Sequence, residues 1–273
     1  MYDHKYYLNI FRRELVIRKY SQKTIRNYMY IVRNFLLTTK KDPRTIRPEY
    51  LKNYVYRKCD QSYSSNTIAL IINGLKAFFR LSTKTNVADD LHHPKRSKSL
   101  PYILENSEIH HICSSITNRK HRCMIALMYS SGLRVSEVVH VKVQDIDFTN
   151  LRLIVRKGKG NKHRVTIFSP KLLDAFCAFS NGKEPDEYLF TTRSNKPYSP
   201  RTLQAILEKG LIRSHIPKHA SCHILRHSFA THLLEDGVNI VAIQKLLGHA
   251  NVKTTMIYTK LARHALKDIK SPL

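Results

Sequence analysis

The second half of this sequence carries histidine, arginine, lysine and tyrosine residues at spacings that could serve a reaction on a phosphate group. His223 and Arg226 stand three positions apart on an expected helix, so they share a face. An arginine fork can grip two phosphate oxygens, and a histidine can move a proton near neutral pH. Arg134 follows Gly132-Leu133 at an expected helix start, where backbone N–H groups also favour an anion. Lys159 lies in a tight turn between two expected strands, a fixed place to present an ammonium to a leaving oxygen. His249 follows Leu247-Gly248 between two helices, and Tyr258, nine positions later on a short helix, offers a phenol nucleophile.

Other catalytic plans find no support in the sequence. It has no G-x-x-x-x-G-K-[ST] loop and no G-x-G-x-x-G after a strand, so nucleotide hydrolysis has no visible site. A G-x-S-x-G elbow and an H-E-x-x-H helix are also missing. Carboxylates are scarce, and none cluster as a two-metal nuclease requires. The run His110-His111-Ile112-Cys113, with His121 and Cys123, matches no common zinc-finger spacing. Chemistry on a phosphodiester would therefore draw its positive charge from side chains, with no metal and no cofactor. Its nucleophile would be a side chain or a bare water.

Taken singly, each candidate also has an ordinary reading. A helical His/Arg pair is commonly a solvated face. A lysine in a turn serves solubility, and any one of 15 tyrosines can be half-buried packing. Lys157 sits two positions from Lys159 and could be mistaken for it. Order and spacing together give the set its weight.

The composition narrows the partner. The 273 residues hold 47 Lys/Arg against 20 Asp/Glu, a formal net charge of +27. Residues 1–100 carry 21 basic against 7 acidic side chains, and residues 101–273 carry 26 against 13. The charge is thus no basic tail on a neutral enzyme, and both halves could touch one polyanion, DNA or RNA. At 42% hydrophobic residues the chain can build a core. It contains no membrane-length apolar run, and its start lacks a signal-peptide core. Five cysteines without regular spacing point to reduced thiols. A soluble, cytoplasmic and nucleoid-associated protein is expected.

The elements that must position these residues can be read from periodicity. The first 80 or so residues resolve into four short helices. Ser21 caps the second, Pro48 opens the third, and Ser64 or Ser65 caps the fourth. Residues 82–101 break the pattern with the basic run Pro94-Lys95-Arg96-Ser97-Lys98, so residues 86–101 read as a linker between a domain at 1–85 and another at 102–273. In the second, helices are expected over 105–115, 119–131, 134–140, 170–179, 199–211, 222–235, 239–247 and 251–259. Strands are expected over Leu151–Val155 and Val165–Phe168, and a last short helix over Leu261–Ile269.

The combined pattern resembles the tyrosine recombinase/integrase family, most closely its Xer-type members. The matching blocks are Ser131-Gly132-Leu133-Arg134-Val135-Ser136-Glu137, Gly158-Lys159-Gly160-Asn161-Lys162, His223-Ile224-Leu225-Arg226-His227-Ser228-Phe229-Ala230-Thr231-His232, Leu246-Leu247-Gly248-His249 and Tyr258. They cover residues 102–260; the first 90 residues match only in helical pattern and position. His163 departs from the family, whose close members more often carry an acidic residue there.

The resemblance implies a fold that is mainly α with a small antiparallel β-sheet, its two domains forming a C-shaped DNA clamp. Arg134 and Arg226 would bind the non-bridging oxygens of the scissile phosphate, and Tyr258 would form a 3′-phosphotyrosyl link. Lys159 would be the general acid for the 5′ oxygen, His223 would help remove the tyrosine proton, and His249 would hydrogen-bond the phosphate. Two protomers would bind paired half-sites on double-stranded DNA and two dimers would form a tetramer, exchanging strands through a Holliday junction. Residues 261–273 would pack on a neighbouring protomer, or fold back on their own domain. A partner recombinase or an activating protein is a further partner the resemblance admits. The task would be chromosome or plasmid dimer resolution, or mobile-element integration and excision. The competing readings are a type IB-like relaxing enzyme, a non-catalytic DNA-binding relative and an RNA-binding module.

If the charge serves a nucleic-acid backbone, duplex affinity measured by fluorescence anisotropy should fall about a thousandfold or more between 50 mM and 200 mM salt, as expected for ~6–10 phosphate contacts. A flat response would remove the polyanion reading.

Overall fold

The computed structural model describes residues 4–95, 102–156, 163–218 and 220–261. The chain divides into two compact units, and the division falls within the undescribed stretch 96–101.

The first unit is a bundle of four α-helices: α1 (His4–Ile17), α2 (Gln22–Thr39), α3 (Pro48–Asp60) and α4 (Ser65–Phe78). Serines start two of them. Ser21 Oγ accepts the Thr24 N–H at 3.1 Å and Ser64 Oγ accepts the Thr67 N–H at 3.3 Å, each satisfying a donor that the first helical turn leaves over. Pro48 begins α3, where its missing N–H costs nothing. The apolar stripes meet in a core containing Phe11, Leu15, Val32, Phe35, Leu51, Leu75, Phe78 and Phe79. Phe11 packs edge-on to Phe78 at 5.4 Å and Phe35 edge-on to Tyr54 at 5.1 Å.

The chain leaves this unit later than the spacing predicts. A π-helical turn at Phe79–Thr83 extends α4. Ala88 and Leu91 then return into the same core, while Asp89 pairs with Arg80 at 3.2 Å. The polar residues around 82–90 hide two small apolar contacts that periodicity does not detect.

The second unit is mostly helical: α5 (Asn106–Ser115), α6 (Arg119–Ser130), α7 (Val135–Val138), α8 (Leu173–Ser180), α9 (Pro200–Arg213), α10 (Cys222–Glu235), α11 (Ile240–Leu247) and α12 (Val252–Thr255). Between α7 and α8 lies an antiparallel sheet in the order β1 (Ile146–Asp147), β2 (Arg152–Val155), β3 (Arg164–Ile167). In register, Leu153 faces Thr166 and Val155 faces Arg164. Strand alternation puts Leu153, Val155 and Thr166 inward. The β1 strand has only two residues, too few to show a period of two in the sequence.

Helix α10 is central. Cys222, Leu225, Arg226, Ser228, Phe229, Ala230 and Thr231 are all buried, so nearly its whole circumference is covered. Ser228 Oγ accepts the Leu104 N–H at 2.9 Å. The main core lies on one side with Met124, Ile125, Leu127, Met128, Leu133 and Phe176. A satellite cluster of Phe229, Ala230, Ile243, Leu247 and Tyr258 lies on the other. Two expected helices come out shorter: residues 134–140 give the one turn of α7, and 251–259 splits into α12 and a 3₁₀ turn at Tyr258–Lys260. The basic turn with Lys159, and the expected helix over Leu261–Ile269 from residue 262 onward, lie outside the described residues.

Gly132 ends α6 with φ +60°, and a Cβ there would lie 2.4 Å from the Phe229 ring and 2.9 Å from Leu247. Gly132→Ala should therefore destabilise the second unit by about 2–4 kcal/mol, combining left-handed strain with overpacking. Gly237, at φ +81° with nothing within 4 Å, is the control: Gly237→Ala should cost only the strain, ~1–2 kcal/mol. Calorimetric melting should show the larger drop for Gly132→Ala.

Candidate active site

Arg134 occupies the N-cap position of α7, and its own helix holds it. Its backbone N–H donates to Glu137 Oε2 at 2.8 Å, and its Nη1 donates to Glu137 Oε1 at 2.8 Å. The same carboxylate takes a two-pronged bond from Arg164 on β3, Nη1 to Oε1 at 2.8 Å and Nη2 to Oε2 at 2.7 Å. Arg226 Nη1 approaches it at 4.0 Å. Burial alone would raise the Glu137 pKa, but the bonds and charges of Arg164 and Arg134 win and bring it down to about 2. Three guanidinium groups therefore share one carboxylate.

Strand β3 is the strut that sets the spacing. Thr166 Oγ1 donates to the Ser131 carbonyl at 2.9 Å, just before the turn that delivers Arg134. Arg164 Nε donates to the Leu246 carbonyl at 2.8 Å, just before Gly248-His249. Gly248 has φ +66°, and a Cβ on it would lie 2.6 Å from Arg164 Cδ, so this approach requires glycine.

Arg226 ties the remaining pieces together. Its side chain is buried, with Nη1 donating to the Gly132 carbonyl and Nη2 to the Leu247 carbonyl, both at 2.6 Å. Burial, followed by the repulsion of Arg134 and Arg164, brings its pKa down to about 10, which still leaves it cationic at neutral pH. His223, one turn earlier on α10, is exposed, and partial desolvation together with Arg226 and Arg134 lowers its pKa.

His249 sits in the loop after α11. Its Nδ1 pairs with the buried Thr255 hydroxyl at 2.9 Å, and its ring stacks on Tyr258 with centroids 6.3 Å apart. Desolvation first, then the surrounding arginines, brings its pKa down to about 4, so it is neutral at pH 7. Tyr258 is only 1% exposed. Its hydroxyl pairs with His227 Nδ1 at 3.2 Å. Burial raises the Tyr258 pKa above 10 while Arg226 and Arg134 pull against that rise.

The structure thus brings Arg134, His223, Arg226, His249 and Tyr258 into one electrostatic neighbourhood, and Lys159 lies outside the described residues. Sequence reasoning missed Glu137, Arg164, Thr255 and the contact of His227 with the phenol. Glu137 had a signal, since it stands three positions after Arg134 as in a capping box. Arg164 had none beyond its place shortly after a basic run, and His163 before it is exposed. Among the described residues no group of His, Cys, Asp and Glu could hold a metal ion, and no helix is long and apolar enough to cross a membrane. After Glu137 neutralises one of the three arginines, the site keeps an excess of positive charge that an anion would offset.

Known protein families match both units of the chain. The phage integrase family matches residues 100–264, and the N-terminal SAM-like domain of phage integrases matches residues 7–89. Tyrosine recombinase XerA of Thermococcus onnurineus is 38% identical over 254 residues, covering 90% of this chain and 88% of that protein. The crystal structure of XerA recombinase superposes with a TM-score of 0.56 at 28% identity, covering 96% and 95% of the two chains. A lambda integrase (75-356) dimer bound to a COC′ core site shares the fold, with a TM-score of 0.77 at 21% identity and 93% and 97% coverage.

Glu137→Gln should leave Arg134 and Arg164 without their shared counter-charge and cost about 3–5 kcal/mol. Because folding depresses the Glu137 pKa, its stabilisation is complete above its unfolded value near 4.5 and disappears as pH falls through about 2. Urea unfolding from pH 7 down to pH 2 should therefore show the difference between parent and variant shrinking across that window.

Proposed function

The chain belongs to the phage integrase family, as a tyrosine recombinase of the Xer kind, and from that premise we propose that it cuts and rejoins duplex DNA at a specific site through a phosphotyrosyl intermediate. The observation that carries the reading is the surplus of guanidinium charge set beside a buried tyrosine. Arg134 keeps guanidinium donors beyond the one bound to Glu137, and Arg226 keeps donors beyond the two that anchor it. These grip the two non-bridging oxygens of a phosphodiester and strengthen their hold as charge grows at phosphorus. His223 and neutral His249 add hydrogen bonds to the same oxygens.

Tyr258 is the nucleophile. Its oxygen bonds phosphorus as the P–O5′ bond breaks, and Lys159 supplies the proton to the departing 5′ oxygen. The new phosphotyrosine is itself a diester, so the energy of the broken linkage is kept and rejoining needs no nucleotide hydrolysis. The net positive charge that each half of the sequence carries supports contact of each unit with the phosphate backbone. Paired half-sites would each take one protomer, and two such pairs would exchange strands through a Holliday junction. Dimer resolution and integration or excision both use this chemistry.

Incubation with a random-sequence duplex library, denaturation, nuclease digestion and peptide mass spectrometry should find a nucleotide on Tyr258. Tyr258→Phe should retain DNA binding and lose the adduct entirely. The captured ends, once sequenced, should share one motif. Adducts without any shared motif, with relaxation of supercoiled plasmid, would instead favour a relaxing enzyme acting alone.

A further inference from the structure

The group touching the Tyr258 hydroxyl is one that the sequence pattern does not single out. His227 Nδ1 lies 3.2 Å from the phenol oxygen, with ring centroids 5.6 Å apart. His227 follows Arg226 directly on α10 and stands one helical turn after His223. Tyr258 comes from the other side, carried by the 3₁₀ turn that packs against α10.

A phenol attacking phosphorus must lose its proton as the new bond forms. Tyr258 is buried among Phe229, Ile243 and Leu247, which makes spontaneous ionisation scarcer than for a free tyrosine. An acceptor within hydrogen-bond reach is therefore needed. His227 satisfies the geometry, and its surroundings keep it in the accepting form. Burial, His223 and Arg226 all lower its pKa below 6.5, so at neutral pH its ring is uncharged. With its one proton on Nε2, the lone pair of Nδ1 faces the phenol.

We propose that His227 is a further catalytic residue, the base that takes the Tyr258 proton during strand cleavage and returns it during rejoining. The inference rests on the proposed function above and moves to His227 the proton-removing role that the family resemblance implies for His223. In cleavage the Oη–P bond forms, the P–O5′ bond breaks, and the phenol proton passes to His227 Nδ1. The 5′ oxygen takes a separate proton from the acid on its side. In rejoining the 5′-hydroxyl returns its proton to the acid on its side and attacks phosphorus, the Oη–P bond breaks, and the imidazolium protonates the departing phenolate. His223 and Arg226 face the ring from its own helix, and Tyr258 and His249 from the segments packed on it. In those cationic surroundings the imidazolium is a short-lived carrier that gives its proton back readily. His223 is then left to bind the phosphate.

The test is single-turnover adduct formation on a nicked duplex bearing the captured motif, from pH 5 to pH 9. The unaltered chain, His227→Asn and His227→Gln are compared, since both amides keep a hydrogen-bonding group but accept no proton in this range. At pH 7 the variants should be slower by about a hundredfold, within the usual range for general-base loss. Their rates should climb about tenfold per pH unit as the phenol ionises unaided, while the unaltered chain changes far less from pH 7 to pH 9. On a duplex with a 5′-bridging sulfur, whose departure needs no proton, the defect should persist. An unaltered rate in the variants, a deficit equal at every pH, or a deficit erased by the sulfur substrate would each overturn the assignment. Absence of any adduct from the unaltered chain would overturn the proposed function and this step with it, so the two failures are distinguishable.

Discussion

Everything at the site depends on how Glu137 is held. Guanidinium groups at close range repel one another, and burial strengthens that repulsion. Glu137 counters it by bonding Arg134 and Arg164 directly and lying 4.0 Å from Arg226. Full neutralisation of the three would leave no demand for a substrate anion, and no carboxylate at all would drive them apart. One carboxylate among three arginines keeps the cluster folded and still short of negative charge. This buried arrangement is better understood as a positioning device than as a source of net stability, because its desolvation cost is large.

The cluster is also where distant parts of the chain are joined. Arg164 links β3 to α7 and to the end of α11, and Arg226 links α10 to the carbonyls of Gly132 and Leu247. Each arginine thus spends some donors on backbone and keeps the geometry of the rest. Gly132 and Gly248 make these approaches sterically possible, since a side chain on either would collide with the residues that close the site. The conformational freedom of glycine is used here to bring elements together, with flexibility as a by-product.

The helices were legible because capping serines and prolines, together with unbroken apolar stripes, mark their ends. Ser21, Pro48, Ser64 and Ser199-Pro200 all stand where the spacing puts them. The boundary of the first unit was less legible, because Ala88 and Leu91 reach its core from a polar stretch without periodicity. The proposed nucleophile Tyr258 and the proposed phosphate-binding residues Arg134 and Arg226 were singled out through the order of separated blocks. The residues that hold them were not. Glu137 and Arg164 look like surface charges until β3 is folded against α7, and their partners lie 27 positions apart. His227 looks like one more polar position on a helix, because its partner is 31 positions away. Sequence periodicity reports which face is buried, and it is silent about which buried polar atoms meet.

The histidines show why burial serves this chemistry. An exposed imidazole near neutral pH is a mixture of charged and uncharged forms, and beside three arginines a charged one would add to the repulsion. Desolvation moves His223, His227 and His249 toward the neutral form, His249 as far as about 4. A neutral imidazole can donate from one nitrogen and accept at the other, so its function depends on what fixes the tautomer. The Thr255 hydroxyl stands at Nδ1 of His249, and the Tyr258 hydroxyl stands at Nδ1 of His227. If each hydroxyl donates to the nitrogen it faces, both rings carry their proton on Nε2. In the proposed reaction His249 then offers that proton to a phosphate oxygen, while His227 offers a lone pair to the phenol. One cationic, poorly hydrated pocket can thereby support a donor and an acceptor of the same residue type. Their proposed roles follow from the hydroxyl each ring meets.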